Sequence, residues 1–166
     1  MTSILLILGR LFVILIGYAG AALAASAFIN ILALGALGAP PGDPVARASL
    51  VFTIPFMALF VAYYAFFPAM IAIVFTELLG KRDWLTHALC GGGVALVLVG
   101  ILLSGSWQVD VNEGLEPYWL RLDDPRLAML LLGTGLVGGI AYWLIAGNSA
   151  GSWRSEKKTP PTSPAP

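Results

Sequence analysis

Residues 69–100 are AMIAIVFTELLGKRDWLTHALCGGGVALVLVG, two apolar runs on either side of one polar turn, Gly80-Lys81-Arg82-Asp83. A helix rises about 1.5 Å per residue, so about 20 apolar residues cross a bilayer core. Glycine closes a helix by taking the left-handed conformation, and an aspartate caps the start of the next one. The stretch therefore predicts two membrane-spanning helices joined by a tight turn.

The same pattern extends outward in both directions. Four apolar stretches are long enough to span, at about residues 4–34, 50–79, 84–103 and 127–146. Asp43-Pro44 and Asp124-Pro125 precede the second and fourth stretches as helix starts, and Gly147-Asn148 ends the fourth. Since these runs are apolar on every face, a barrel with alternating polarity is excluded. The prediction is an all-α membrane protein, an antiparallel four-helix transmembrane bundle over residues 1–148.

Composition excludes the main classes of soluble protein. Of the 166 residues, 58% are hydrophobic and only 11% are charged, nine of each sign, whereas a soluble domain has about 25% charged residues. Without a basic patch the chain is not expected to bind nucleic acid. A cleaved signal peptide is the alternative interpretation of the first span, but the segment before Arg10 lacks the basic residues of such a signal.

Basic residues near the span ends predict the orientation. Six lie on the side of the termini, namely Arg10, Lys81, Arg82, Arg154, Lys157 and Lys158. Three lie on the other side, namely Arg47, Arg121 and Arg126. Both termini are therefore expected in the cytoplasm. Residues 149–166 are predicted to be a disordered cytoplasmic tail, and residues 105–124 a non-cytoplasmic loop. This loop is either a small β-hairpin on the membrane surface or a simple loop held by interfacial aromatic residues.

Residues able to carry chemistry are few. The chain has one histidine, His87, and one cysteine, Cys90. A zinc site needs three or four protein ligands, and thiol–disulfide chemistry needs a second cysteine. We therefore expect no catalytic residues, no metal site and no cofactor, and the chain is not expected to be an enzyme.

One polar cluster is predicted at the cytoplasmic end, composed of Glu77, Lys81, Arg82, Asp83 and His87. Glu77 and Lys81 are four residues apart in the favourable order, and the tight turn brings the other three close. The cluster is interpreted either as a salt-bridge lock between two helices or as a proton- or ion-handling vestibule. Under either interpretation Glu77 is predicted to pair with Lys81, Arg82 or His87, contributing about 0–1 kcal/mol because the pair is partly solvated. Arg10 is expected to extend to the headgroups.

Small residues and aromatic residues mark the faces of the helices. Small residues recur every four positions on three spans, at Gly17, Ala21 and Ala25, at Gly91 and Ala95, and at Gly135 and Gly139. Such stripes allow close helix packing, either inside the bundle or in an oligomer. The second span is rich in phenylalanine and tyrosine, and its aromatic stripe either faces lipid or binds a lipid or quinone tail.

A short part of the chain resembles a known group of proteins. The residues concerned are Phe67-Pro68, Glu77, Arg82-Asp83-Trp84-Leu85, His87-Ala88 and Gly91-Gly92-Gly93. In this order they resemble the central hairpin of small, uncharacterised four-span inner-membrane proteins of bacteria. The resemblance implies a bacterial inner membrane and no particular activity.

Together these features predict a non-catalytic accessory or assembly component of a membrane complex. Its expected partners are the lipid bilayer and either further copies of the chain or a larger complex. The alternative function is a small-solute or proton-coupled transporter, which would need a polar path through the bilayer centre.

Overall fold

The computed structural model describes residues 2–36, 43–104 and 125–151. These residues form four helices, α1 (Thr2–Ala36), α2 (Pro44–Leu79), α3 (Trp84–Leu103) and α4 (Pro125–Ile145), followed by a 3-10 turn, Gly147–Ser149. The described part of the chain is thus all-helical, as predicted. The predicted loop at 105–124, with its two interpretations, lies outside the described residues.

Each helix contains a segment long and apolar enough to cross a membrane, Ile4–Ala33, Pro44–Leu79, Trp84–Ile101 and Ala128–Ile145. The distribution of side chains fits that environment. Small residues such as Ala22, Ala25 and Ala88 are buried between helices, whereas most large aliphatic and aromatic side chains face outward. A soluble protein would bury those large side chains, so their exposure is typical of helices whose outer surface meets lipid.

The helix ends follow the local chemistry of the sequence. At the start of α2, an Asp43 carboxylate oxygen accepts from the backbone N–H of Val45 at 3.0 Å, and Pro44 occupies the first turn. Gly80 closes α2 with φ of 62°. An Asp83 carboxylate oxygen then accepts from the backbone N–H of Thr86 at 2.9 Å and caps α3. The helix α2 begins six residues before the predicted span because its cap lies at Asp43.

Helix α1 packs against α2 and α4, and α3 packs against α4 and α2. Two hydroxyl groups of α1 bond to backbone carbonyls of α2: Tyr18 donates to Ala62, and Ser26 donates to Ile54 at 2.7 Å. These bonds join polar groups that have no water partner inside a bilayer, so they hold α1 and α2 in register.

Backbone-to-backbone contact joins α3 to α4. A Cβ atom on Gly91 would lie 2.9 Å from the Cα of Gly139, and one on Gly135 would lie 2.7 Å from the Cβ of Ala95. Only glycine allows the two helices to approach so closely. These residues of the predicted stripes therefore lie at contacts within the chain.

The stripe of α1 lies against α4. A Cβ on Gly17 would lie 2.7 Å from the Cβ of Ala146, and one on Gly138 would lie 3.4 Å from the carbonyl oxygen of Ala21 and 3.6 Å from the Cβ of Ala25. The small residues of α1 thus provide the surface on which α4 packs.

Candidate functional site

A buried ion pair joins α1 to α2. The guanidinium of Arg10 bonds through Nη2 to Oε1 of Glu77. The two side chains are only 11% and 12% exposed. Both charged groups are largely buried, so each charge is stabilised by the other and by nearby hydrogen bonds.

The segment that follows α4 provides those hydrogen bonds. We call residues 146–151 the C-terminal clasp. Arg10 donates through Nη1 to the hydroxyl of Ser149 at 2.7 Å and through Nη2 to the carbonyl of Ala146 at 3.1 Å. The second oxygen of Glu77 accepts from the backbone N–H of Gly151 at 3.0 Å. The clasp thus contacts both members of the ion pair.

The clasp and the last turn of α4 also contact the turn between α2 and α3. The Nε of Arg82 donates to the carbonyl of Ala150 at 2.9 Å, and the indole of Trp143 donates to the carbonyl of Arg82 at 2.7 Å. Gly151 has φ of 67°, and a Cβ there would lie 2.9 Å from the Cα of Gly80. Residues 149–151 are therefore part of the folded domain, whereas the sequence assigned them to the disordered tail. The rest of the predicted tail, 152–166, lies outside the described residues.

His87 lies against Gly147 of the clasp, in the interior of the protein. Its side chain is buried, and Nδ1 lies 3.0 Å from the carbonyl oxygen of Asp83. Since a carbonyl can only accept, Nδ1 carries the proton of that bond. The imidazole stacks on the buried ring of Tyr142, with centroids 5.8 Å apart. Gly147 packs against the imidazole, where a Cβ would lie 2.7 Å from Nε2 and 2.8 Å from Cδ2.

The prediction that Glu77 pairs with Lys81, Arg82 or His87 is wrong. Within the described part of the chain its ionic partner is Arg10, from the first helix. The side chain of Lys81 is exposed instead, and Arg82 binds the clasp. The physical reason is that Glu77 is buried. Its carboxylate faces Arg10 of α1 and Gly151 of the clasp rather than the exposed turn.

The predicted cluster is therefore divided between two environments. Glu77 and His87 are buried, whereas Lys81, Arg82 and Asp83 are exposed at the turn. The guanidinium of Arg10, which was expected at the headgroups, is bonded to Glu77 and to the clasp. Arg10, Ser149 and Tyr142 are site residues that sequence reasoning missed.

The arrangement limits the possible chemistry. Both carboxylate oxygens of Glu77 already accept hydrogen bonds. Among the described residues, no group of three or more histidine, cysteine, aspartate or glutamate side chains is placed to hold a metal ion. The site is thus suited to joining helices.

The aromatic residues of α2 form an outward-facing surface. Phe52, Phe56, Tyr63 and Phe67 are each at least 64% exposed, and Phe56 contacts Phe60 edge-to-face with ring centroids 5.1 Å apart. These rings make little contact with the other helices. They are available to lipid or to a partner.

Comparisons with protein-family models, with curated proteins and with solved structures give no match. The function of the chain is therefore inferred from the geometry of the ion pair, the clasp and the helix surfaces.

The cap of α3 provides a prediction for pH dependence. Hydrogen bonds from the Thr86 hydroxyl and then from its backbone N–H lower the pKa of Asp83 below its usual value. Because the pKa of Asp83 is lower in the folded protein than in the unfolded chain, its ionised carboxylate stabilises the fold at pH values above the usual carboxyl pKa of about 3.9. This contribution is lost as the pH falls through the lowered pKa. The Tm of the protein should therefore exceed that of Asp83→Asn at neutral pH, with the difference shrinking in acid. An unchanged difference in thermal unfolding from neutral to acidic pH would contradict a contribution from the ionised carboxylate of Asp83.

Proposed function

We propose that this protein is a non-catalytic accessory or assembly component of a membrane complex, in the inner membrane of a bacterium. Its four helices form an antiparallel transmembrane bundle with both termini in the cytoplasm. The observation that carries the proposal is the Arg10–Glu77 ion pair, whose charged atoms are bonded to helices and to the clasp.

Charged residues within membrane segments usually mark sites of transport or proton transfer. Here the polar atoms are engaged in holding the chain together. Glu77 joins α2 to α1 and to Gly151, and Arg10 joins α1 to Ser149 and Ala146. This arrangement favours a structural role, because transport would require these bonds to break in every cycle.

Side-chain contacts support the antiparallel arrangement. Along α1 and α2, Arg10 pairs with Glu77, whereas Ser26 bonds to Ile54. Residue numbers therefore rise along one helix as they fall along the other. The excess of basic residues on the side of the termini supports their cytoplasmic location.

A reporter fused after residue 166 tests this topology. A reporter active only in the cytoplasm should be active there, and one active only in the periplasm should be inactive. Fusion of the same reporters within residues 105–124 is the matched control and should give the reverse pattern. Periplasmic activity at the C-terminus would contradict the proposed orientation.

The surface of α2 is the part of the bundle best suited to a partner. The small-residue stripes are occupied by contacts within the chain, whereas the aromatic surface formed by Phe52, Phe56, Tyr63 and Phe67 faces outward. Large aromatic side chains provide much of the contact energy at protein interfaces. A second copy of the chain or a different membrane protein would pack there.

Native mass spectrometry after gentle detergent extraction tests the accessory role. We expect a stoichiometric protein partner, lost in the double variant Phe56→Ala, Phe67→Ala and retained in Phe12→Ala. Phe12 is a matched control because it is an equally exposed aromatic residue on α1, at 64% exposure. A monomer without bound protein would contradict the proposal, and a retained lipid or quinone would instead indicate a ligand-binding function for α2.

A proton-coupled or small-solute transporter is the second candidate. It is favoured by the buried imidazole of His87, which stacks on Tyr142 and contacts Gly147 of the clasp. Solute flux into proteoliposomes driven by a pH gradient, and abolished in His87→Gln, would support it. Absence of pH-dependent flux together with a co-purified partner would favour the accessory role.

A further inference from the structure

Three buried polar atoms lack a hydrogen-bond partner among the described residues. They are Nε of Arg10, Nε2 of His87 and the hydroxyl oxygen of Tyr142. His87 is 3% exposed and Tyr142 is 6% exposed. A buried polar atom without a partner is costly, and native proteins rarely leave several such atoms together.

The three residues contact or belong to the same end of α4. The guanidinium of Arg10 bonds to the carbonyl of Ala146, and the next residue, Gly147, lies against Nε2 of His87, where a Cβ would be 2.7 Å away. Tyr142 is one helical turn before Ala146, and its backbone carbonyl accepts from the N–H of Ala146 at 2.8 Å. The ring of Tyr142 stacks on that of His87.

The three atoms are complementary in their hydrogen-bonding character. Nε of Arg10 is a donor. Nδ1 of His87 donates to the carbonyl of Asp83, so Nε2 is an acceptor in the tautomer that carries this one ring proton. The hydroxyl of Tyr142 both donates and accepts. A single small molecule with donors and acceptors matches this set.

The charges around the site restrict what that molecule is. A cation is disfavoured by the guanidinium of Arg10. An anion is disfavoured because Glu77 already neutralises Arg10 and because Nε2 offers a lone pair. A large molecule is disfavoured because Gly147 packs directly against the imidazole. A neutral molecule of the size of water remains.

We propose that Arg10, His87 and Tyr142 form a binding site for an internal water molecule beneath the C-terminal clasp. The water connects the buried imidazole and phenol to the ion pair, so that α1, α3 and α4 share one polar network. The site does not depend on the accessory role and would exist equally in a transporter.

The single histidine of the chain makes the site directly measurable. Solid-state NMR of the full chain in lipid bilayers, with isotope-labelled histidine, reports the protonation of each ring nitrogen and the transfer of magnetisation from water. We expect a protonated Nδ1, and an unprotonated, hydrogen-bonded Nε2 that receives magnetisation from water. An Nε2 with the chemical shift of a free acceptor and no transfer from water would overturn the proposal.

A pair of variants tests whether the Tyr142 hydroxyl is a ligand of the water. Tyr142→Phe should weaken the transfer to Nε2 and lower Tm, because it removes that ligand. A higher Tm would overturn the proposal, since removal of an unpartnered buried hydroxyl is stabilising. Tyr18→Phe is the matched control: its hydroxyl donates to Ala62, so its loss should lower Tm and leave the His87 signal unchanged.

A third variant tests whether the partner is part of the chain itself. Deletion of residues 152–166 should leave the shift of Nε2 and its transfer from water unchanged. Loss of the hydrogen-bonded shift on deletion would overturn the proposal, because a group of that segment would then be the partner of His87.

Discussion

Glu77→Gln is expected to lower the free energy of unfolding by about 3 kcal/mol or more. The substitution preserves the shape of the side chain but leaves the guanidinium of Arg10 buried without its counterion. Arg10 is only 11% exposed, so bulk water cannot hydrate the guanidinium in place of the carboxylate. Reversible unfolding in mixed detergent, or Tm in bilayer discs, measures the effect.

Lys81→Gln is the matched control for this prediction. It also removes one charge next to the same turn, but its side chain is exposed, and surface substitutions usually change stability by less than about 0.5 kcal/mol. The sequence alone suggested an equally small effect for Glu77. An effect of Glu77→Gln no larger than that of Lys81→Gln would mean that the ion pair is solvated.

Gly139→Leu is expected to separate α3 from α4 and to destabilise the protein by about 3 kcal/mol or more, at the upper end of overpacking effects. A Cβ at this position would already collide with the carbonyl of His87 and lie 3.0 Å from the Cα of Ala88. The obstacle is backbone, which cannot move aside as a flexible side chain does. Thermal unfolding of the purified protein measures the loss.

Gly93→Leu is the control for added bulk, since nothing lies within 4 Å of a Cβ at Gly93. It should leave Tm close to that of the unmodified protein. Equal stability of the Gly139→Leu and Gly93→Leu variants would show that Gly139 faces lipid and that α3 and α4 are not in contact at this position.

The helix ends could be predicted from the sequence because the forces that fix them are local. Asp43 caps an N–H two residues away, and Asp83 caps one three residues away. Gly80 closes α2 through its own backbone conformation. The apolar runs between these ends are long enough to identify the four helices without any tertiary information.

The ion pair was missed because its partners are 67 residues apart. Local spacing favoured Lys81, four residues after Glu77, since neighbours on a helix surface are the only partners that a sequence shows directly. One hint was present. Arg10 and Glu77 are the only charged residues inside the four predicted spans, and opposite charges in a membrane interior are expected to pair.

The clasp could not be predicted for a different reason. Its bonds to the ion pair and the turn use mainly backbone groups, namely the carbonyls of Ala146 and Ala150 and the N–H of Gly151. Nearly every residue has the same backbone N–H and carbonyl groups, so the sequence does not show which of them form these bonds. The polar residues after Ser149 therefore resembled the start of a disordered tail.

Arg10 and Glu77 stabilise the protein by acting on each other. A double-mutant cycle with Arg10→Met, Glu77→Met and the double variant measures this coupling through the free energy of unfolding in one lipid or detergent system. We predict that each single variant is strongly destabilised and that the double variant recovers part of the loss, with a coupling energy above about 1 kcal/mol. Additive losses, with the double variant destabilised by the sum of the two single effects, would contradict this coupling.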